Sequence, residues 1–253
     1  MADIEICDES TLPRSGIPIA AGLENVYISI AGLIGAGKTG IDAILYLLND
    51  VGVYPDNITW IMPRDSWLFD RECFNPQKIA LFSQSFFNNA QTVEESLLQQ
   101  EANGLLLRLD DTVWPEKYSC ATVEKEELRK LQTIKNVIRK GRIASITTTH
   151  LIMEGEDGER IPYEAGSIFV DCSALGLPPR PIVPIFQPNR IVLQPVTQCM
   201  ICISAAAAGY IDCHPQFEDD ADRNRLMYPV PYPNTNEDSV GTALGMLHNQ
   251  FLG

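Results

Sequence analysis

Six consecutive residues, Gly35-Ala36-Gly37-Lys38-Thr39-Gly40, have types and a spacing suited to binding an anion. Gly35, Gly37 and Gly40 satisfy G-x-G-x-x-G. In that pattern the first glycine permits a tight turn and the second lets the backbone approach a pyrophosphate. The third lets helix and strand pack closely, so that the helix N-terminus faces the anion. The same stretch also satisfies G-x-x-x-x-G-K-[ST], from Gly32 to Gly37-Lys38-Thr39. There Lys38 would hold terminal phosphates and Thr39 would ligate magnesium. Asp171, after Ile168-Phe169-Val170, could be the partner acid of such a site, but Cys172 stands where a second acid is usual. The consecutive aliphatics Leu33 and Ile34 suit a strand end better than an open phosphate cradle. Dinucleotide binding is therefore the preferred chemistry, and a P-loop NTPase is kept as an alternative.

Either chemistry needs the glycines between a strand and a helix. Val26-Tyr27-Ile28-Ser29-Ile30-Ala31 is β-branched and aromatic and reads as a buried strand. Residues 39–49 are proline-free, with apolar positions at 41, 44, 45, 47 and 48, and read as a helix ending near Gly52. Ile58-Thr59-Trp60-Ile61-Met62 reads as a second strand closed by Pro63. Strand, glycine turn, helix and strand make the βαβ unit of a parallel sheet. After the second strand, a site for NAD uses an acid to hold the ribose hydroxyls, whereas NADP needs a cation for the 2′-phosphate. Arg64 comes first and suits bidentate phosphate binding; Asp65 follows it and keeps NAD as an alternative.

Further along, 72–111 reads as irregularly helical. A helix is expected from an N-cap at Thr122, with a basic last turn at Arg139 and Lys140 and with Gly141 at its end. Segments 142–146, 150–153 and 168–170 read as strands, with a turn over 154–158. A proline-rich stretch then leads to an alanine-rich helix near 199–210.

Beyond the motif, several longer segments resemble a family of FAD/NAD(P)-binding oxidoreductases related to flavin-containing monooxygenases and pyridine-nucleotide reductases. They are Gly35-Ala36-Gly37-Lys38-Thr39-Gly40-Ile41-Asp42, Ile58 through Leu68, Leu105-Leu106-Leu107-Arg108-Leu109-Asp110, Val170-Asp171-Cys172-Ser173-Ala174-Leu175-Gly176-Leu177-Pro178, and Gln187-Pro188-Asn189-Arg190-Ile191. The likeness runs from about Tyr27 to about Asn236. It implies that Gly35, Ala36, Gly37 and Gly40 line the pyrophosphate, with Lys38 and Thr39 at the helix start and Arg64 near the adenosine ribose. It also implies that Ala174 and Gly176 form an Ala-x-Gly turn closing the nucleotide domain. The stretch 142–170 would be a crossover hairpin. In the family the flavin rests on its own βαβ unit, which needs roughly thirty residues. Residues 1–24 are too few for one, so FAD is expected from a flavin-bearing partner chain or a homo-oligomer.

Composition narrows the rest. Thirty-three acids against 19 bases give a formal charge of −14, which excludes a basic nucleic-acid-binding face. The longest apolar stretches, near 26–34 and 200–208, are too short to span a bilayer. The N-terminus lacks the basic and apolar regions of a signal peptide. Seven scattered cysteines point to reduced thiols and a cytoplasmic setting. Cys199-Met200-Ile201-Cys202 is a C-x-x-C with apolar flanks, read as buried core thiols rather than a redox or zinc site. Trp60 and Trp67 flank Arg64; core packing is their default role, with stacking on adenine as the alternative.

The expectation is an α/β protein: a Rossmann-like parallel sheet with a β-hairpin crossover and a C-terminal helical lobe. Its divisions are a lead-in over 1–24, the NAD(P)-binding domain over 25–178 and the lobe over 179–253. The expected activity is NAD(P)H-dependent, flavin-linked oxidoreduction or monooxygenation of a small molecule. NADP is the expected coenzyme, and no metal is expected. A non-catalytic dinucleotide-binding or scaffolding subunit is the alternative, and no catalytic acid or base can be named.

Overall fold

The computed structural model describes residues 30–73, 90–155, 157–174, 180–197 and 200–252. Its contacts divide the chain into two compact units, and this division differs from the contiguous spans read from the sequence. The first unit draws on Met1–Ser66, Leu109–Trp114 and Lys125–Leu175; the second on Trp67–Arg108, Pro115–Glu124 and Gly176–Gly253. The chain thus leaves the first unit shortly after the second strand of its parallel sheet and returns before the third.

In chain order the strands are β1 (Ile30–Ile34), β2 (Ile58–Ile61), β3 (Ser66–Asp70), β4 (Leu106–Leu107), β5 (Lys117–Val123) and β6 (Asn136–Ile138). After them come β7 (Ile143–Ile146), β8 (His150–Met153), β9 (Arg160–Pro162), β10 (Phe169–Asp171), β11 (Phe186–Gln187) and β12 (Arg190–Ile191). The helices are α1 (Lys38–Tyr46), α2 (Val93–Ala102), α3 (Lys125–Leu131), α4 (Ile201–Cys213), α5 (Asp220–Leu226) and α6 (Asp238–Leu252).

In the first unit, β10, β1, β2 and β6 form a wholly parallel sheet in that order. Counting only these strands along the chain, the order from the other edge is 3-2-1-4. That is the first part of the Rossmann order, with its topological switch point between the first and fourth strands. Side chains alternate across the sheet, as a strand requires. Leu33 is fully buried on the side of α1, whose own buried face is Ile41, Ile44 and Leu45. On the other side Ile61, Leu151, Met153 and Phe169 form a core with Ile34, Ile138, Ile143 and Ile161. Strands β7, β8 and β9 supply much of this cover as an antiparallel meander. The crossover expected as a hairpin therefore has three strands.

The helix expected from Thr122 is corrected. Thr122 lies inside β5, and α3 covers only Lys125–Leu131. The helix tightens at its end, with i→i+3 bonds into Thr133 (3.0 Å) and Ile134 (3.1 Å), and the chain then re-emerges as β6. The apolar spacing at 134, 137 and 138 suits either periodicity, and pairing of Trp60 with Val137 and Ile61 with Ile138 decides it. Gly141 does adopt φ +89°, but as a turn after a strand rather than a helix cap.

In the second unit, β4, β3 and β5 form one sheet, and β11 pairs with β12. Ile185, Phe186, Val196, Ala208, Ile211 and Met227 form a core into which α4 packs, so the C-terminal region is helical as expected. Of the span read as irregularly helical, α2 is helical, Leu106–Leu107 is a strand, and 74–89 lies outside the described residues.

One glycine tests this packing. A Cβ on Gly32 would lie 2.5 Å from the Phe169 ring and 3.0 Å from Ile61. Gly32→Ala should therefore overpack the meander face and cost about 1–3 kcal/mol in denaturant unfolding. Adding Phe169→Leu should return part of that loss; equal stability of Gly32→Ala and the parent would contradict the packing.

Candidate functional site

The site begins where β1 ends. Strand β1 runs through Ile34, so only Gly35-Ala36-Gly37 separate it from α1. Gly35 has φ +117°, a region that side chains other than glycine's rarely enter. A Cβ there would also stand 2.6 Å from the carbonyl oxygen of Cys172, just beyond β10. The turn after the first strand and the turn after the fourth thus touch backbone to backbone, at the switch point where open α/β sheets bind ligands. Two further bonds pin the turn to β2: the Gly35 amide donates to Ile61 (2.9 Å), and the buried Trp60 indole donates to the Gly35 carbonyl (2.8 Å). Trp60 is 1% exposed, so its role is structural rather than adenine stacking. Trp67 is fully buried in the second unit, under the guanidinium of Arg108.

Gly40 lets the helix approach this turn, since a Cβ there would lie 2.6 Å from the Gly35 oxygen. Gly37 differs in kind. A Cβ on Gly37 would meet nothing within 4 Å, and its backbone is extended at φ −81°. It is the N-cap of α1 and offers no side-chain cap. The first bond inside the helix is Ile41 to Gly37 (3.1 Å), so the amides of Lys38, Thr39 and Gly40 lack intrahelical acceptors. No acidic residue occupies the first turn. An uncapped helix start beside open space attracts an anion through its amides and its dipole.

The Lys38 ammonium pairs with Asp42 one turn along the helix instead of reaching over the turn. Thr39 is exposed and Ala36 half-buried. Gly32 and Leu33 lie within β1, so the four-residue cradle that a P-loop needs between Gly32 and Gly37 is partly strand.

The two candidates after β2 have separate fates. Arg64 is half-buried and has no ion pair or side-chain hydrogen bond among the described residues. Asp65 is buried, at 3% exposure, and both carboxylate oxygens accept from Arg139, from Nε at 2.6 Å and from an Nη at 3.1 Å. Arg139 directly follows β6 and also lies 3.5 Å from Asp110. The hydrogen bond to Asp65 raises the Arg139 pKa above its ordinary value despite partial burial. Asp110 is held below the usual carboxylate range, first by the Thr112 hydroxyl and then by the Thr112 amide. Sequence reading missed Arg139 as a site residue because it was assigned to a helix end.

After β10, Asp171 accepts from the Ser173 amide at 2.9 Å and so caps its turn. Ala174 is exposed at the same edge, and Gly176 lies outside the described residues. The thiols depart from expectation in two ways. Cys202 is exposed rather than in the core, its motif partner Cys199 lying outside the described residues. Cys120 is disulfide-bonded, whereas Cys73, Cys172, Cys202 and Cys213 are free. Among the described residues no group of three or more His, Cys, Asp or Glu could hold a metal.

The two outer positions of the turn separate folding from binding. Gly35→Ala meets both backbone strain and backbone contact and should destabilise the chain by about 1–3 kcal/mol. Gly37→Ala should stay within about 1 kcal/mol of the parent by thermal unfolding, since its backbone is compatible. The new methyl would nonetheless occupy the space before the helix start and weaken anion binding there. Matching losses of stability in both variants would refute this division.

The chain can be set beside known proteins by sequence. No model of a known protein family and no solved structure matches the chain. It is 37% identical over 214 residues to the uncharacterized protein Rv2000 of Mycobacterium tuberculosis H37Rv. It has the same identity to the uncharacterized proteins MT2056 of M. tuberculosis CDC 1551 and Mb2023 of Mycobacterium bovis. The alignment takes in 81% of this chain and 39% of each relative, so the chain spans well under half the length of the curated relatives it matches.

Proposed function

We propose that the first unit binds a nicotinamide dinucleotide, NADP in preference to NAD, and serves the pyridine-nucleotide side of a flavin-linked, monooxygenase-like oxidoreductase. The observation that carries this reading is the uncapped start of α1, behind the open Gly37, at the switch point of a 3-2-1-4 parallel sheet. The amides of Lys38, Thr39 and Gly40 would hold the pyrophosphate, with Gly35 and Ala36 forming the floor of the turn. Ala174 would border the same crevice. Arg64, with no competing carboxylate, would take the 2′-phosphate.

When bound, the nicotinamide supplies hydride; this chain binds and orients it. FAD is proposed on a flavin-bearing partner chain or in a homo-oligomer. The exposed Ile201, Ile203 and Tyr210 of α4, at 54%, 52% and 66%, support association through the second unit. The substrate is proposed to be a small molecule. A cytoplasmic setting belongs to the same proposal, with four free thiols standing beside the Cys120 disulfide; no helix among the described residues is long and apolar enough to cross a membrane. A non-catalytic dinucleotide-binding subunit would use the same turn, and flavin occupancy distinguishes the two.

Titration of the purified chain should give tighter binding of NADPH than NADH. Arg64→Ala should weaken NADPH roughly ten- to a hundredfold, the loss of one charge-assisted bond, and leave NADH nearly unchanged. Equal weakening of both would remove the 2′-phosphate assignment. Magnesium-dependent ATP hydrolysis abolished by Lys38→Ala would replace the whole reading with a P-loop. On a sizing column with light scattering, the chain with added FAD should run as a colourless oligomer. A monomer carrying stoichiometric FAD would overturn the partner clause.

A further inference from the structure

We infer that Arg139 sets the coenzyme preference of this site through Asp65, as a positioning residue that never touches the nucleotide; this rests on the dinucleotide reading above. Asp65 is the first acid after β2, where dinucleotide folds hold the ribose hydroxyls with a carboxylate. A carboxylate free to turn toward the ribose would favour NAD and repel a 2′-phosphate. Here both Asp65 oxygens are engaged by the Arg139 fork, and the Asp65 side chain is 2% exposed.

The fork is fixed at its other end as well. Arg139 follows β6 directly, and the Met62 amide donates to the Ile138 carbonyl at 2.9 Å, which keeps the two strand ends together. Asp110, itself held by the Thr112 amide (3.0 Å) and hydroxyl (2.6 Å), lies on the remaining side of the guanidinium. A two-point Arg–carboxylate pair with a second acid behind it has little rotational freedom. Arg64, one residue earlier, is left as the group able to meet a phosphate. The cation-then-acid ambiguity of the sequence is thus resolved by a residue 74 positions away.

The test measures dissociation constants of both NADPH and NADH for the full chain, by nicotinamide fluorescence, in Arg139→Met, Asp65→Asn and the double variant. Releasing Asp65 in Arg139→Met should lower the NADPH:NADH preference at least roughly tenfold, by loss of phosphate tolerance and gain of a ribose bond. The double variant, which has no carboxylate to release, should restore the parental preference. A merely structural role would weaken both coenzymes alike and leave their ratio in place. An unchanged ratio in folded Arg139→Met, with parental NADPH binding intact, overturns the role of Arg139 alone. Should Arg139→Met not fold, Asp65→Asn decides: NADH affinity within about threefold of the parent supports the inference, and a tenfold loss puts Asp65 on the ribose and overturns it. A parent chain that binds neither coenzyme overturns the dinucleotide reading together with this one.

Discussion

The first unit depends on the close approach of two backbones, Gly35 beyond β1 and Cys172 beyond β10. Parallel pairing brings the ends of the adjacent first and fourth strands side by side. The turn at Gly35 passes so near the Cys172 carbonyl that even a methyl group would collide with it. With φ at +117° the same residue also reverses the chain into α1. The Trp60 indole then holds the turn from the neighbouring strand. These contacts satisfy both polar groups of the Gly35 backbone, and the first amides of α1 are left without intrahelical acceptors. The proposed anion site is a by-product of the way the strand and helix are joined.

Electrostatics at the sheet edge follow the same economy. The chain as a whole is strongly acidic, so general attraction cannot deliver an anion to this surface. Local arrangement has to do it. The helix start contributes its partial positive charge without a competing acid, and the acid closest to Arg64 in sequence is withdrawn into a pair with Arg139. Asp110 completes that pair from a segment that re-enters the unit after the excursion through the second one. In the proposed site, charge complementarity is made by removing a carboxylate as much as by adding a cation.

The helix start also separates the two phosphate chemistries written into one stretch of residues. A P-loop and a dinucleotide turn both place backbone amides around an anion, but they differ in how much chain lies outside the strand. Because Leu33 is fully buried against α1 and Gly32 packs on Phe169, the strand holds on until Ile34. Three residues remain, enough for a tight turn. The Lys38 side chain, drawn to Asp42, lies along the helix.

Sequence by itself determined the local features: the strand, glycine turn, helix and second strand, with the helical run ending at Gly52. Each depends on residues within a few positions, through backbone conformation, periodicity or a short side-chain bond. The meander strands β7 and β8 were legible for the same reason. Tertiary structure decided what short-range signals leave open. Residues 134–138 carry spacing compatible with helix or strand, and pairing with β2 made 136–138 into β6. The second unit's intrusion between β2 and α3 follows from distant contacts that no local composition marks. Gly32 looked like part of a phosphate loop until the ring of Phe169 filled the space above it. Arg64 and the alternative Asp65, adjacent in sequence, were separated only when the fold brought Arg139 to the end of the neighbouring strand, because a buried carboxylate must find a partner and the sequence does not say which.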